Sequence, residues 1–106
     1  MKITTFDDSN YRTILEASAT QFGVTVEDLK GKSRESRIVN ARHVAMSVLR
    51  VFFECSYADI SRVFNRGHAT AIHACKRVEF PRNKVLQDAA IAVAKIYVAQ
   101  LKSNKS

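Results

Sequence analysis

The sequence RGHATAIHACKRVE, residues 66–79, has the residue distribution expected of the second helix of a helix-turn-helix. Its first turn holds the small and polar residues His68, Ala69 and Thr70, which are short enough to lie against base edges. Lys76 and Arg77 come near its far end, at positions suited to phosphate contacts. The pattern therefore predicts a recognition helix from about residue 68 to residue 79.

The spacing of apolar residues predicts which side of this helix is buried. We expect Ala71, Ile72, Cys75 and Val78 to face the core, and the outward set to be Ala69, Thr70, His73, Lys76 and Arg77. Residues 56–59, SYAD, form a capping box that opens a short preceding helix. The apolar stripe of that helix is Tyr57, Ile60, Val63 and Phe64. Residues 65–67, NRG, form the turn, in which we expect Gly67 to take a positive φ.

Helical patterns also fill the chain before residue 56. Asp8 or Ser9 is expected to cap a helix that continues through Phe22 and ends at Gly23, and Thr25 starts a short helix that ends near Gly31. A polar loop, residues 32–37, precedes a long helix that Asn40 or Ser36 is expected to cap. The predicted apolar face of that helix is Ala41, Ala45, Val48, Leu49 and Phe52, and its predicted outer face is Asn40, His43, Ser47, Arg50 and Glu54.

The last helical pattern begins after Pro81 and runs from about Arg82 to Lys102. It is apolar over a wide arc that includes Val85, Ile91 and Val98, which is more apolar surface than a small core requires. Two interpretations stay open: ordinary core, or a homodimer through residues 85–101. Because no run alternates as a strand does, the prediction is an all-α compact helical bundle, one domain over residues 1–106.

The distribution of charge favours a polyanionic partner. The net charge is +7, and residues 31–106 hold fourteen Lys and Arg against five Asp and Glu, a local balance of +9. Nucleic acid and an acidic membrane surface both fit this balance, but the cations are spread over loops and several helices, unlike those of a membrane-surface helix. The first residues lack the apolar segment and cleavage pattern of a signal peptide, so none is expected, and no apolar run reaches about 20 residues. We therefore expect a cytoplasmic, nucleoid-associated location.

Other kinds of site are disfavoured by spacing. His68, His73 and Cys75 lack the i, i+4 spacing that places two metal ligands on one helical face, so no metal site is predicted. The carboxylates are scattered, so no catalytic residue and no enzyme activity are predicted. Cys55 and Cys75 are expected to be small core residues. RNA binding is disfavoured because the chain shows no aromatic stacking platform.

Three segments, FGVTVEDLKGKS (22–33), ARHVAM (41–46) and HATAIHACKRVE (68–79), together resemble the C-terminal DNA-binding domain of the bacterial replication initiator DnaA. The resemblance covers residues 10–80 in order and spacing. It implies an all-helical domain in which a helix-turn-helix enters the major groove of duplex DNA and a basic loop enters the minor groove. The chain has no Gly-x-x-x-x-Gly-Lys-Ser/Thr motif, so no nucleotide cofactor is predicted. The expected role is occupancy of DNA in replication initiation, its regulation or transcription control.

The resemblance also implies roles for individual residues. Arg34 matches the family's minor-groove arginine, and Arg42 matches a DNA-contacting arginine of the long helix. His68 and Thr70 match the His and second Thr of the family's Asp-His-Thr-Thr signature, and Lys76 with Arg77 matches its basic pair. The full candidate set for DNA binding is Arg34, Arg42, Tyr57, Arg66, Gly67, His68, Ala69, Thr70, His73, Lys76 and Arg77.

The chain departs from the family pattern inside the signature. Gly67 stands where the family has its Asp, Ala69 stands where it has the first Thr, and the turn is one residue shorter. Tyr57 and Ala58 replace a Leu-Pro pair that often begins the preceding helix. Loss of a base-reading side chain changes discrimination by about 1–3 kcal/mol. We therefore expect a shifted or relaxed sequence preference, and the alternative is a protein-interaction module that binds an initiator or another replication protein.

Overall fold

A computed structural model describes residues 8–79 and 83–103 of this chain, which form six helices. These are α1 (Asp8–Phe22), α2 (Val26–Lys30), α3 (Ser36–Phe53), α4 (Tyr57–Phe64), α5 (His68–Glu79) and α6 (Lys84–Ser103). The described residues contain no strand. The predicted all-α bundle with a helix-turn-helix and a long C-terminal helix is confirmed.

Local sequence signals explain several of the boundaries. Helix α1 ends at Gly23, whose φ of 67° is accessible at little cost only to glycine. The Thr25–Asp28 capping box is present, since each residue's side chain accepts the other's backbone N–H at 3.0 Å. At residues 56–59 only half of the predicted capping box forms: Ser56 Oγ accepts the Asp59 N–H at 3.0 Å, whereas the Asp59 carboxylate accepts from Arg62 instead. The cap predicted for α1 and the start predicted at Arg82 lie outside the residues whose side chains are described.

Two predictions about α3 are wrong. The helix begins at Ser36, and the residue in the capping position is Glu35, with no side-chain cap bond. Ser36 is therefore the first helical residue and Asn40 lies in the second turn, because the backbone turns one residue earlier than the side-chain preferences suggest. The polar loop is correspondingly shorter than predicted, and it ends at Glu35.

The core is built around α3, against which α1, α5 and α6 all pack. His43 and Ser47, predicted on an outer face, are therefore buried at 9% and 3% exposure. A sequence pattern assigns α3 one exposed stripe, but a central helix has neighbours on nearly every side. Phe52 is the opposite case: predicted in the core, it is 40% exposed beside α6.

The two cysteines are core residues, as predicted. Cys55 and Cys75 are both buried and free. Burial raises the pKa of each thiol to about 11, so both carry their proton at neutral pH. Buried, protonated thiols of this kind are poor nucleophiles and metal ligands.

Candidate nucleic-acid interface

The first turn of α5 is presented to solvent by the packing of the rest of that helix. Ala71, Ala74, Cys75 and Val78 are buried, whereas His68, Ala69 and Thr70 are exposed. His73 and Lys76 are exposed further along the same side. The predicted division between inner and outer residues is confirmed for these positions, with Ile72 half-buried.

The aromatic ring of Tyr57 supports this turn from α4. Its ring centroid lies 6.0 Å from that of His68, in an edge-to-face arrangement. The Tyr57 ring also contacts Arg50, whose guanidinium lies 4.2 Å from the ring centroid and donates to the Cys55 carbonyl at 3.0 Å. The half-buried Tyr57 ring, itself held by Arg50, therefore supports the exposed His68 side chain.

The turn between α4 and α5 is made differently from the prediction. Asn65, with φ of 52°, takes the left-handed conformation and ends α4, whereas Gly67 has no positive φ. Asn tolerates this region because its short polar side chain carries a small steric penalty there. The Gly67 carbonyl accepts the N–H groups of Thr70 and Ala71 at 3.1 and 3.3 Å, which is the role of the residue just before a helix.

Arg42 of α3 holds the loop between α2 and α3, residues 31–35, through hydrogen bonds to backbone carbonyls. This arginine is 5% exposed, and its Nε donates to the Leu29 carbonyl at 2.7 Å. Its Nη2 lies 3.2–3.3 Å from three further carbonyls, those of Asp28, Gly31 and Ser33. Burial lowers the pKa of the Arg42 guanidinium, and nearby Arg66 lowers it further. Arg42 therefore organises the backbone of the loop.

Arg66 joins the same loop to the helix-turn-helix. Its guanidinium donates to the Gly31 carbonyl, across 35 residues of sequence. Arg34 projects from this loop and is exposed. A surface concavity is lined by Lys32, Ser33, Arg34, Arg42, Arg66 and Thr70. The basic loop and the start of α5 thus form one continuous surface with four cationic side chains around a hollow.

Arg77 does not point outward as predicted. It is half-buried, and its guanidinium lies 3.0 Å from His43 Nδ1 and 2.9 Å from Asn40 Oδ1, both on α3. Asn83 Nδ2 donates to the Arg77 carbonyl at 2.6 Å. Tertiary packing turns this side chain inward because α3 offers two acceptors below it. Lys76 is therefore the exposed cation of the pair.

His43 is the buried partner in this contact. Desolvation by burial lowers its pKa to about 4, and the neighbouring charges of Arg77, His73 and Arg42 act in the same direction. His43 is neutral at physiological pH and accepts a hydrogen bond from Arg77 at Nδ1. The ring of His73 lies 6.2 Å away. The Arg77–His43 contact therefore holds the last turn of α5 on α3.

Sequence reasoning missed the residues that position the surface. Asn40 and His43 hold Arg77 from 37 and 34 residues away, and Gly31 and Arg66 meet across a comparable separation. No spacing rule within one helix predicts such contacts. The one available signal was the presence of polar residues on a helix that is central to the fold.

The described part of the chain forms neither a metal-ligand cluster nor a membrane-spanning helix. Within residues 8–79 and 83–103, no group of three or more His, Cys, Asp or Glu side chains is arranged to hold a metal ion. In the same part of the chain, no helix has the length and apolarity needed to cross a membrane.

Taken together, these features define a helix-turn-helix domain with an adjoining basic loop. Residues 11–78, more than half of the chain, match the family described as bacterial DnaA protein helix-turn-helix. The chain belongs to that family.

Similarity to individual proteins covers the same region. The chain is 40% identical over 67 residues to chromosomal replication initiator protein DnaA 2 of Chlamydia pneumoniae, which covers 63% of this chain and 15% of that protein. It is 34% identical over 79 residues to the chromosomal replication initiator protein DnaA of Acholeplasma laidlawii, covering 74% and 18%. With Desulfatibacillum aliphaticivorans DnaA it is 47% identical over 58 residues, covering 55% and 13%. The match thus spans less than a fifth of these curated relatives.

Proposed function

We propose that this chain binds double-stranded DNA with sequence preference, with the start of α5 in a major groove and the basic loop in the adjacent minor groove. The observation that carries the proposal is the Arg66–Gly31 contact, which joins the helix-turn-helix to the loop that bears Arg34. A protein that reads two grooves needs a fixed separation between its two reading elements. The Arg66–Gly31 hydrogen bond and the hydrogen bonds of Arg42 to the loop carbonyls supply that fixed separation.

The proposed division of roles follows from exposure. His68, Ala69 and Thr70 are the exposed side chains of the first turn and are proposed to meet base edges. Arg34 is proposed for the minor groove, where a guanidinium gains from the negative potential of narrow A·T-rich tracts. Lys76 and His73 are proposed to lie near phosphates, with Tyr57, Arg66 and Gly67 as supports at the rim of the surface.

For Arg42 and Arg77 we propose supporting roles that replace direct readout. Arg42 is buried and satisfied by loop carbonyls, so its effect on DNA binding is proposed to pass through the position of Arg34. Arg77 is engaged by His43 and Asn40, so its effect is proposed to pass through the seating of α5. Contact of either guanidinium with a phosphate stays a prediction.

In the cell, we propose occupancy of DNA sites in replication initiation or in its regulation. The relatives' names describe chromosomal replication initiators, which supports this process for a family member. The proposed activity of this chain is binding without catalysis. A nucleoid-associated location follows from the proposed ligand.

The test is selection of bound duplexes from a random pool, followed by titration at about 0.1 M salt. We expect the selected sequence to bind about a thousandfold more tightly than random duplex. Arg34→Ala and His68→Ala should each weaken that binding by about five- to a hundredfold and flatten the preference. Arg12→Ala, which removes one exposed cation from α1, is the matched control and should change little. Equal affinity for selected and random duplex would contradict the proposal.

A protein-interaction module is the second candidate, and Gly67 with Ala69 favours it. Gly67 immediately precedes α5 and Ala69 lies in its first turn; both are exposed and carry no side-chain hydrogen-bonding group, which lowers the capacity for base readout. Under this alternative, the α5 surface binds an initiator or another replication protein, and its duplex binding is weak and indifferent to sequence. The selection experiment separates the two candidates.

We also retain self-association through residues 85–101 as a proposal. Val85, Ile91 and Val98 are exposed on α6, at 77%, 49% and 41%. Ile91 and Val98 lie on the same side of the helix, and a contiguous exposed apolar patch often marks a contact surface. A dimer would place two helix-turn-helix units at a fixed separation on DNA.

A further inference from the structure

Helix α6 carries an exposed stripe with alternating chemistry. Lys84, Asp88, Ile91, Lys95 and Val98 follow one another at steps of four and three residues, so they lie along one side of the helix. All five are exposed, and the opposite side, including Val93 and Tyr97, is buried in the core. The stripe is named here the α6 seam.

An apolar groove adjoins the seam. Phe52 of α3 is 40% exposed and lines the groove together with Ile91, Ala94, Lys95, Val98 and Ala99. Val51, at 52% exposure, lies next to it at the end of α3. The surface therefore combines a broad apolar strip with charges of both signs.

We propose that a second copy of this chain covers the seam, with the two α6 helices antiparallel about a two-fold axis beside Ile91. The proposal gives a specific geometry to the self-association on which it rests. At 1.5 Å per residue, Asp88 lies about 4.5 Å from Ile91 along the helix and Lys95 about 6 Å on the other side. In the antiparallel pair, Asp88 of each copy is thus at nearly the same height as Lys95 of the other.

Charge complementarity selects this arrangement over a parallel one. A parallel pair in register would place Lys84, Asp88 and Lys95 each against its own copy, which is repulsive at all three positions. The antiparallel pair forms two Asp88–Lys95 ion pairs and brings Ile91 against Ile91 at the axis. Within the described part of the chain, Lys95 has no ion-pair partner, whereas Asp88 is shared with Lys84 at 3.3 Å.

The ends of the two helices also meet in this register. Val98, seven residues beyond Ile91, lies opposite Lys84 of the other copy, seven residues before Ile91, and the aliphatic stem of that lysine covers Val98 while its ammonium group stays in water. Phe52 widens the contact on the side of Val98. A single helix pair flanked by one aromatic ring from each copy is a small interface, so a dissociation constant in the micromolar range is expected.

The test is sedimentation velocity on the full chain at about 1 to 100 µM, where we expect a monomer–dimer equilibrium. Asp88→Lys should weaken self-association at least tenfold, because both ion pairs become repulsive, and Lys95→Asp should do the same. An equimolar mixture of these two variants should dimerise again, because every pair across the axis is then between opposite charges. The double variant D88K/K95D should recover self-association for the same reason.

The controls separate this proposal from others. Glu16→Lys makes the same charge change on an exposed position of α1 and should leave self-association unchanged. A chain that stays monomeric at about 100 µM, or a dimer that D88K does not weaken, would overturn the proposal. Titration of a duplex with a single site should be unaffected by D88K and K95D, so failure of the dimer and failure of DNA binding are distinguishable.

Discussion

Replacing Arg42 by Ala should destabilise the fold more than replacing any exposed arginine. The side chain is 5% exposed and donates to four carbonyls. The Leu29 carbonyl, bonded at 2.7 Å in a buried contact, would lose its partner where water has little access, which costs about 1.5–3 kcal/mol. The other three carbonyls are at the edge of an exposed loop, where water replaces most of what is lost. Relief of the buried charge offsets part of the rest.

The expected net loss in the free energy of unfolding is therefore about 1.5–3 kcal/mol. Urea-induced unfolding followed by far-ultraviolet circular dichroism measures it. The matched control is Arg37→Ala, from the first turn of the same helix. Arg37 is 59% exposed and meets Glu35 at 3.4 Å, so its loss should stay within about 0.5 kcal/mol. Arg42→Lys keeps the charge but loses the planar fork and should recover only part of the stability.

The same reasoning predicts coupling in DNA binding. If Arg42 acts by positioning the loop, Arg42→Ala should weaken binding to the selected duplex, and adding Arg34→Ala should then weaken it little further. A double-mutant cycle measures this non-additivity. Equal destabilisation by the Arg42 and Arg37 variants, or fully additive losses in binding, would refute the proposed role of Arg42.

Three further outcomes are expected. Gly67→Asp should be accommodated without strain, because a Cβ at this position meets no atom within 4 Å. The new aspartate should stabilise α5 by a few tenths of a kcal/mol and should change the base preference in a repeated selection. Burial depresses the pKa of His43 from 6.5 to about 4 in the folded state, so the unfolded chain binds the proton first as the pH falls, and the free energy of unfolding should drop by about 2 kcal/mol between pH 7 and pH 5. Urea titrations at the two pH values measure this drop. The His43→Gln variant should lose most of the pH dependence, whereas His68→Gln should keep it. Lys76→Ala should weaken binding evenly across sequences and reduce the salt slope by about one, whereas a sequence-dependent loss would contradict a phosphate contact.

Much of the fold was predictable because its signals are local. The capping box at Thr25, the glycine that ends α1 and the apolar spacing of α5 each act within about one helical turn. Such signals survive whatever packs against them. The exposed first turn of α5, with His68 and Thr70, was predictable for the same reason.

Predictions failed where neighbours distant in sequence compete for a side chain. Arg77 fits an outward position on an isolated helix, yet two acceptors on α3 hold it inward. His43 looks like a surface residue by type and spacing, but α3 is enclosed by other helices and has no open side there. The turn differs from its prediction for a local reason, since Asn65, the residue that ends α4, takes the left-handed conformation expected of Gly67.

The sequence by itself therefore determined the helices, the helix-turn-helix and the family, because helix periodicity and capping depend on residues a few positions apart. Only the tertiary structure decided which arginines face solvent and which hold the chain together. Arg34 and Arg42 are the same type of residue, but Arg34 is exposed, whereas Arg42 is buried and donates hydrogen bonds to four carbonyls. The physical reason is that a buried guanidinium needs several hydrogen-bond acceptors close together. Those carbonyl acceptors are brought together only when α2, α3 and the turn before α5 have packed.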